Sequence, residues 1–231
     1  MRTVKVEPPA EMGMVDGLSF ALFLPASEPL AGVVVLHGAN SCKESHFDFA
    51  RACRADGLAA VSFDMRGHGE SEGAMDERAL ADVATIAALA RDRTGIDAIA
   101  LRGSSMGGYL ALVAAAEADA RAVVAICPAS AAGLARGLRD DRFEFRADAD
   151  GLGTVLTRHD ELRAAEQLDV PLLLLHAEGD EVVPVEHSRA LHVAAAGSRL
   201  VALPGGHHRS VQHDPELQAL AIRFVRRAVS G

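Results

Sequence analysis

From about residue 30 to the C-terminus, short apolar runs rich in branched residues alternate with alanine-rich stretches of helical period. That alternation predicts βαβ units around a parallel sheet, and hence an α/β fold. The runs AGVVVLHG (31–38), LAAVSFD (58–64), IDAIALRG (96–103), ARAVVAICP (120–128), VPLLLLHAEGD (170–180) and SRLVALPGG (198–206) read as strands. Several lack any polar alternation, as strands buried on both faces do. Between them, FDFARACRADG (47–57), MDERALADVATIAALARDRTG (75–95), GGYLALVAAAEA (107–118) and VEHSRALHVAAAG (185–197) read as helices. The second has acids in its first turn, bases near its end and a closing glycine. Asp214-Pro215 opens a last amphipathic helix with a capping residue followed by proline at the first helical position. Ahead of residue 30, TVKVEP and LSFALFLP read as an antiparallel pair at one sheet edge. Residues 129–169 break the alternation: they are too long for an ordinary connection and dense in charges of both signs, which predicts a small helical cap inserted between two strands.

Composition narrows the class. With 231 residues, 49% of them hydrophobic and 24% charged, the expectation is one soluble domain over residues 1–231 carrying that cap. A net charge of −9 with no Lys/Arg run opposes binding to nucleic acid or to an anionic membrane surface. Cys42, Cys53 and Cys127 show neither CxxC nor Cys/His ligand spacing, so a disulfide framework and a metal site are not expected, and a reducing cytoplasm fits. No stretch has the ~18 apolar residues of a membrane span, and the N-terminal residues lack a signal-peptide core. No cofactor motif is present.

The pattern G-x-S-x-G occurs twice, as Gly103-Ser104-Ser105-Met106-Gly107 and as Gly69-Glu70-Ser71-Glu72-Gly73. In a nucleophile elbow the serine rides a tight strand-to-helix turn, and glycines flank it because side chains there would clash. Ser105 directly follows an apolar strand and directly precedes a helix. Ser71 lies several polar residues beyond its strand and between two carboxylates, which oppose formation of an alkoxide. Ser105 is therefore the candidate nucleophile.

A serine needs a base, and the base an orienting acid. In this architecture acid and base follow the nucleophile at the ends of later strands. Asp180 closes the strand PLLLLHAEG, and the pair His207-His208 follows RLVALPGG. Chain order does not choose between the two histidines. His37 and His68 precede the nucleophile; His187, His192 and His213 fall on helices or helix starts; His46, His159 and His176 have no motif context. The loop after VLHG places the backbone N–H of Ala39, with that of Met106, as the candidate oxyanion hole.

Taken together, HGAN (37–40), DMRGHGES (64–71), GSSMGG (103–108), LLLHAEGDEVVP (173–184) and LPGGHH (203–208) resemble the α/β-hydrolase superfamily, closest to small intracellular esterases and serine-aminopeptidase-like members. The resemblance implies a triad of Ser105, Asp180 and His208, since Gly205-Gly206-His207-His208 matches the family's G-x-x-H ending. It gives Ser71 a structural loop role. The function it implies is cleavage of small, soluble carboxylic esters through an acyl-enzyme, because the RGLRDDRFEFRADAD stretch is too polar for a lid that opens on lipid. The same triad could serve amides, thioesters or acyl transfer, and a non-catalytic binding protein on this fold is the alternative of a different class.

Overall fold

The run GVVVL shows how the core is organised. In the computed structural model, which describes residues 6–230, it forms β3 (Gly32–Leu36), with every residue buried. Its side chains alternate between two apolar layers: Val34 and Leu36 join one, Val33 and Val35 the other. Both faces of the sheet are thus covered, which is why no polar alternation is visible in the sequence.

The other strands are β1 (Glu11–Val15), β2 (Leu18–Phe23), β4 (Ala59–Phe63), β5 (Ile99–Ser104), β6 (Ala120–Ile126), β7 (Leu172–Ala177) and β8 (Arg199–Leu203). They make one sheet in the order β1-β2-β4-β3-β5-β6-β7-β8, with β2 antiparallel to both β1 and β4 and the remaining pairs parallel. The helices are α1 (Phe47–Ala55), α2 (Ala79–Thr94), α3 (Met106–Val113), α4 (Ala131–Arg139), α5 (Ala149–Arg158), α6 (Glu161–Glu166), α7 (Val185–Ala194), α8 (Ser210–His213) and α9 (Pro215–Val229). Residues of α2, α3 and α7 pack in the Val34 layer, and those of α1 and α9 in the Val33 layer.

The edge pair departs from expectation. Of TVKVEP, residues 3–5 lie outside the described residues and 6–8 are not strand; β2 pairs instead with Glu11–Val15. The turn between them is Asp16-Gly17, with φ of 48° and 78°. A two-residue hairpin of this hand needs positive φ at both positions, which Asp-Gly supplies.

The segment between β6 and β7 holds α4, α5 and α6, each started by its own side-chain cap. Ser130 accepts from the Gly133 N–H, Asp148 from Asp150 and Gly151, and Asp160 from Arg163. The irregular stretch between α4 and α5 is pinned to the 64–75 loop: Arg146 N–H donates to Gly67 O, Met75 N–H to Arg146 O and Asp148 N–H to Met75 O. Among the described residues no helix is long and apolar enough to cross a membrane.

Candidate active site

Ser105 sits at the sharp turn from β5 into α3, with φ 54° and ψ −117°. A non-glycine residue here is strained, and such strain persists only where the surroundings impose it. Its N–H donates to Ile126 O at 2.9 Å, and its carbonyl accepts from Tyr109 and Ala129, both at 3.0 Å. The two glycines are required by close approach. A Cβ on Gly103 would collide with the Gly107 carbonyl, and one on Gly107 with the carbonyls of Leu36 and His37. The same proximity lays the loop after β3 against Ser105: a Cβ on Gly38 would lie 3.4 Å from that of Ser105.

That loop is held by side chains on both sides. The His37 ring donates through Nδ1–H to Gly38 O at 2.7 Å and accepts at Nε2 from the Met65 N–H at 3.0 Å. Burial brings its pKa down to about 4, so it stays neutral and braces the turn. Asn40, at φ 55°, accepts from the Glu144 N–H at 2.7 Å and donates to Arg142 O at 3.4 Å, tying the loop to the β6–β7 insertion. Ala39 N–H has no hydrogen-bond acceptor among the described residues. Met106 is the first residue of α3, where a helix leaves N–H groups without internal partners. Ala39 thus lines the same pocket as Ser105, Met106 follows Ser105 in the chain, and neither backbone N–H has a hydrogen-bond acceptor among the described residues.

Asp180 lies in the turn after β7 with its carboxylate buried. Oδ1 accepts from the N–H groups of Val182 and Val183, both at 2.8 Å. Oδ2 accepts from His208 Nδ1 at 2.7 Å, and His176 Nε2 approaches it at 3.3 Å. Burial by itself raises a carboxyl pKa, but here the bonds from His176, His208 and the two amides outweigh it and hold Asp180 well below the usual carboxylate range. Because a carboxylate only accepts, His208 carries a proton on Nδ1, which leaves Nε2 as the ring nitrogen that Asp180 does not engage. Gly205 and Gly206, at φ 71° and 75°, turn the chain back after β8 so that His208 reaches Asp180. His207 is exposed, and its backbone N–H, not its ring, is bonded, to Ser210 Oγ at 3.0 Å.

Ser105, Ala39 and His208 line one pocket of about 710 Å³. The insertion forms one wall through residues such as Leu134 and Phe143, and the β7–α7 loop another through Val182, Val183 and Pro184. Among the described residues no hydrogen bond joins Ser105 Oγ to His208; hydroxyl and ring open onto the same space. Such bonds commonly tighten only when substrate is bound.

Ser71 has a different environment. It is 1% exposed, its hydroxyl donates to Asp64 O at 2.6 Å and accepts from the Ser19 N–H at 2.8 Å. The neighbouring Glu70 is drawn to the buried Lys43 at 2.7 Å, which also pairs with Asp64 at 2.8 Å.

His176, which lacks any motif in the sequence, belongs to this site. It is fully buried on β7, with Nδ1 2.7 Å from Ser188 Oγ and Nε2 2.9 Å from Val183 O. A carbonyl only accepts, so Nε2 carries the proton, which Val183 O and Asp180 share, and Nδ1 accepts from Ser188. Cys127, His176 and Asp180 have metal-ligand atoms within 4.8 Å of one another. Both imidazole nitrogens and both carboxylate oxygens are already engaged, and burial pushes the Cys127 thiol up, away from the thiolate that binds metal. The group does not fit a metal ion.

Comparisons with known proteins agree with this architecture. The chain is 26% identical over 220 residues to the uncharacterized protein YfhR of Escherichia coli O157:H7, covering 89% of this chain and 74% of that one. Est1E from Butyrivibrio proteoclasticus, solved with ferulic acid bound, superposes with a TM-score of 0.74 at 24% identity, over 94% of this chain and 97% of that one. A monoacylglycerol lipase from Paleococcus ferrophilus does so at 0.70 and 23%, over 92% and 98%. A thermophilic esterase from Thermogutta terrifontis, with malate bound, gives 0.71 and 20%, over 95% and 97%. At these identities the structural likenesses establish the fold. The family model of the alpha/beta hydrolase fold matches residues 32–152, more than half of the 231 residues, and the chain belongs to that family.

Proposed function

We propose that the protein is a serine hydrolase that cleaves carboxylic esters of small, soluble substrates through an acyl-enzyme. The observation that carries this reading is the pairing of the buried Asp180 carboxylate with His208, 2.7 Å apart, at the pocket that the strained Ser105 turn also lines. In the proposed cycle His208 Nε2 takes the Ser105 proton as Oγ attacks the ester carbonyl. The carbonyl oxygen, now an oxyanion, is received by the N–H groups of Ala39 and Met106. Asp180 stabilises the imidazolium without taking its proton. His208 then protonates the departing alkoxide, and the alcohol leaves an acyl-Ser105. Water, activated by the same ring, hydrolyses that ester and restores the serine.

The segment over residues 129–169 acts in this reading as a compact cap. Its hydrogen bonds to the 64–75 loop and to Asn40 support a fixed wall rather than a lid that swings open on a lipid surface. Short-chain p-nitrophenyl esters should therefore turn over, and emulsified long-chain triglycerides should not. Steady-state assays on both substrates decide the matter: interfacial activation on droplets contradicts the small-ester reading, and absence of turnover on any activated ester contradicts the hydrolase reading.

A further inference from the structure

The chain carries a net charge of −9 and no run of basic residues, so at long range an anionic small molecule meets an unfavourable field. The fold reverses that at one place. Three arginines from separate segments line the Ser105 pocket: Arg136 from α4, Arg142 from the loop after it, and Arg209 beside His208. One carboxylate shares that wall, Asp140, and it is engaged by Arg142 at 3.2 Å and by Arg139 at 3.6 Å. Among the described residues Arg136 and Arg209 take part in no ion pair and no side-chain hydrogen bond. Arg136 Nη2 lies 3.8 Å from the point where a Cβ on Gly133, itself a wall residue, would project.

Two arginines without ion-pair partners in the lining of a pocket whose remaining wall includes Leu134, Phe143 and Val183 make an amphipathic cleft. A guanidinium presents paired N–H donors matched to a carboxylate. We infer that this pocket selects esters bearing a second, free carboxylate remote from the scissile bond, with Arg136 and Arg209 receiving that carboxylate while the ester carbonyl lies at Ser105. This specificity rests on the hydrolase reading above. The alkyl chain between the two groups lies along the apolar wall. The half-ester of a dicarboxylic acid has this form, with charge at one end and a neutral ester at the other.

The test compares monomethyl adipate with dimethyl adipate, which share a chain and differ in one charge, at low ionic strength. The wild type should favour the half-ester by about tenfold in kcat/KM. Added salt should shrink that ratio, because exposed charges are screened. In R136Q/R209Q the ratio should fall to near one, and in R136E/R209E it should invert, with correct folding verified by circular dichroism melting. A wild-type ratio near one, or a high ratio that survives both double variants, overturns the inference while leaving the hydrolase reading intact. If neither ester turns over, and activated p-nitrophenyl esters do not either, the hydrolase reading is what has failed. Titration calorimetry with adipate against neutral adipamide then still decides the anion site: adipate binding lost in R136Q/R209Q supports it, and equal or absent binding of the two overturns it.

Discussion

The two G-x-S-x-G segments share a five-residue pattern and end up in opposite situations. Ser71 has both of its hydroxyl's roles filled, as donor to Asp64 O and acceptor from Ser19 N–H, in a loop locked by the Lys43–Asp64 pair. Its proton is committed to the fold. Ser105 is the first residue after a buried strand, forced to positive φ by glycines that admit close backbone approach, and it opens onto a pocket shared with His208. The pattern records only that small residues flank a serine. What separates a nucleophile from a loop knot is the strand and helix on either side and the groups that converge on the hydroxyl.

The comparison sharpens most at the base. His208→Ala should lower kcat/KM by about 10³ or more, because it removes the ring that Asp180 holds at the Ser105 pocket, whereas the exposed His207→Ala should stay within about threefold. Steady-state kinetics on one activated ester separate the two; the reverse ranking moves the base by one residue. Asp180→Asn follows, with a loss on the order of 10³ to 10⁴ from the wrong imidazole tautomer. It should also change acid stability. A carboxyl whose folded pKa is depressed adds stability above its unfolded value of about 3.9, and that stability is lost as pH falls toward the folded value. Melting temperature against pH should therefore drop less steeply below pH 4 in Asp180→Asn than in the wild type.

A smaller effect is expected one step back, at His176. His176→Asn removes the N–H shared between Asp180 and Val183 O. Asp180 then accepts more strongly from His208, so kcat/KM should fall about tenfold and the acid limb of its pH profile should move upward, on the scale of a supporting hydrogen bond. A melting-temperature change with no movement of the pH profile would make His176 purely structural. The smallest effect on chemistry belongs to the other serine. Ser71→Ala leaves the Ser19 N–H buried without its partner, which costs about 1–3 kcal/mol, read as a fall in Tm of about 2–4 °C per kcal/mol. Turnover by the folded Ser71→Ala enzyme should match the wild type.

Much of this arrangement was legible in the sequence because it is local. Buried strands announce themselves as unbroken Val and Leu runs, and the strand, turn and helix around Ser105 are contiguous in the chain. The edge pair was read less well: TVKVEP was expected beside LSFALFLP, whereas β2 pairs with Glu11–Val15 through the Asp16-Gly17 turn, a signal that reading did not use. Other features depend on folding. His176 acquires its role from Ser188 on α7 and from the Val183 carbonyl, neither of which its neighbours in the chain foretell. Asn40 matters through Arg142 and Glu144, about a hundred residues away. The grouping of Arg136 and Arg209 has no sequence signature, since they lie more than seventy residues apart and share only the pocket they line.

Labelling with a fluorophosphonate separates the two serines, because only a serine beside a base and an oxyanion hole reacts quickly with such a probe. Peptide mapping of the labelled protein should place the adduct on Ser105, with labelling abolished in Ser105→Ala and unaffected in Ser71→Ala. An adduct on Ser71, or labelling that persists in Ser105→Ala, would contradict the account.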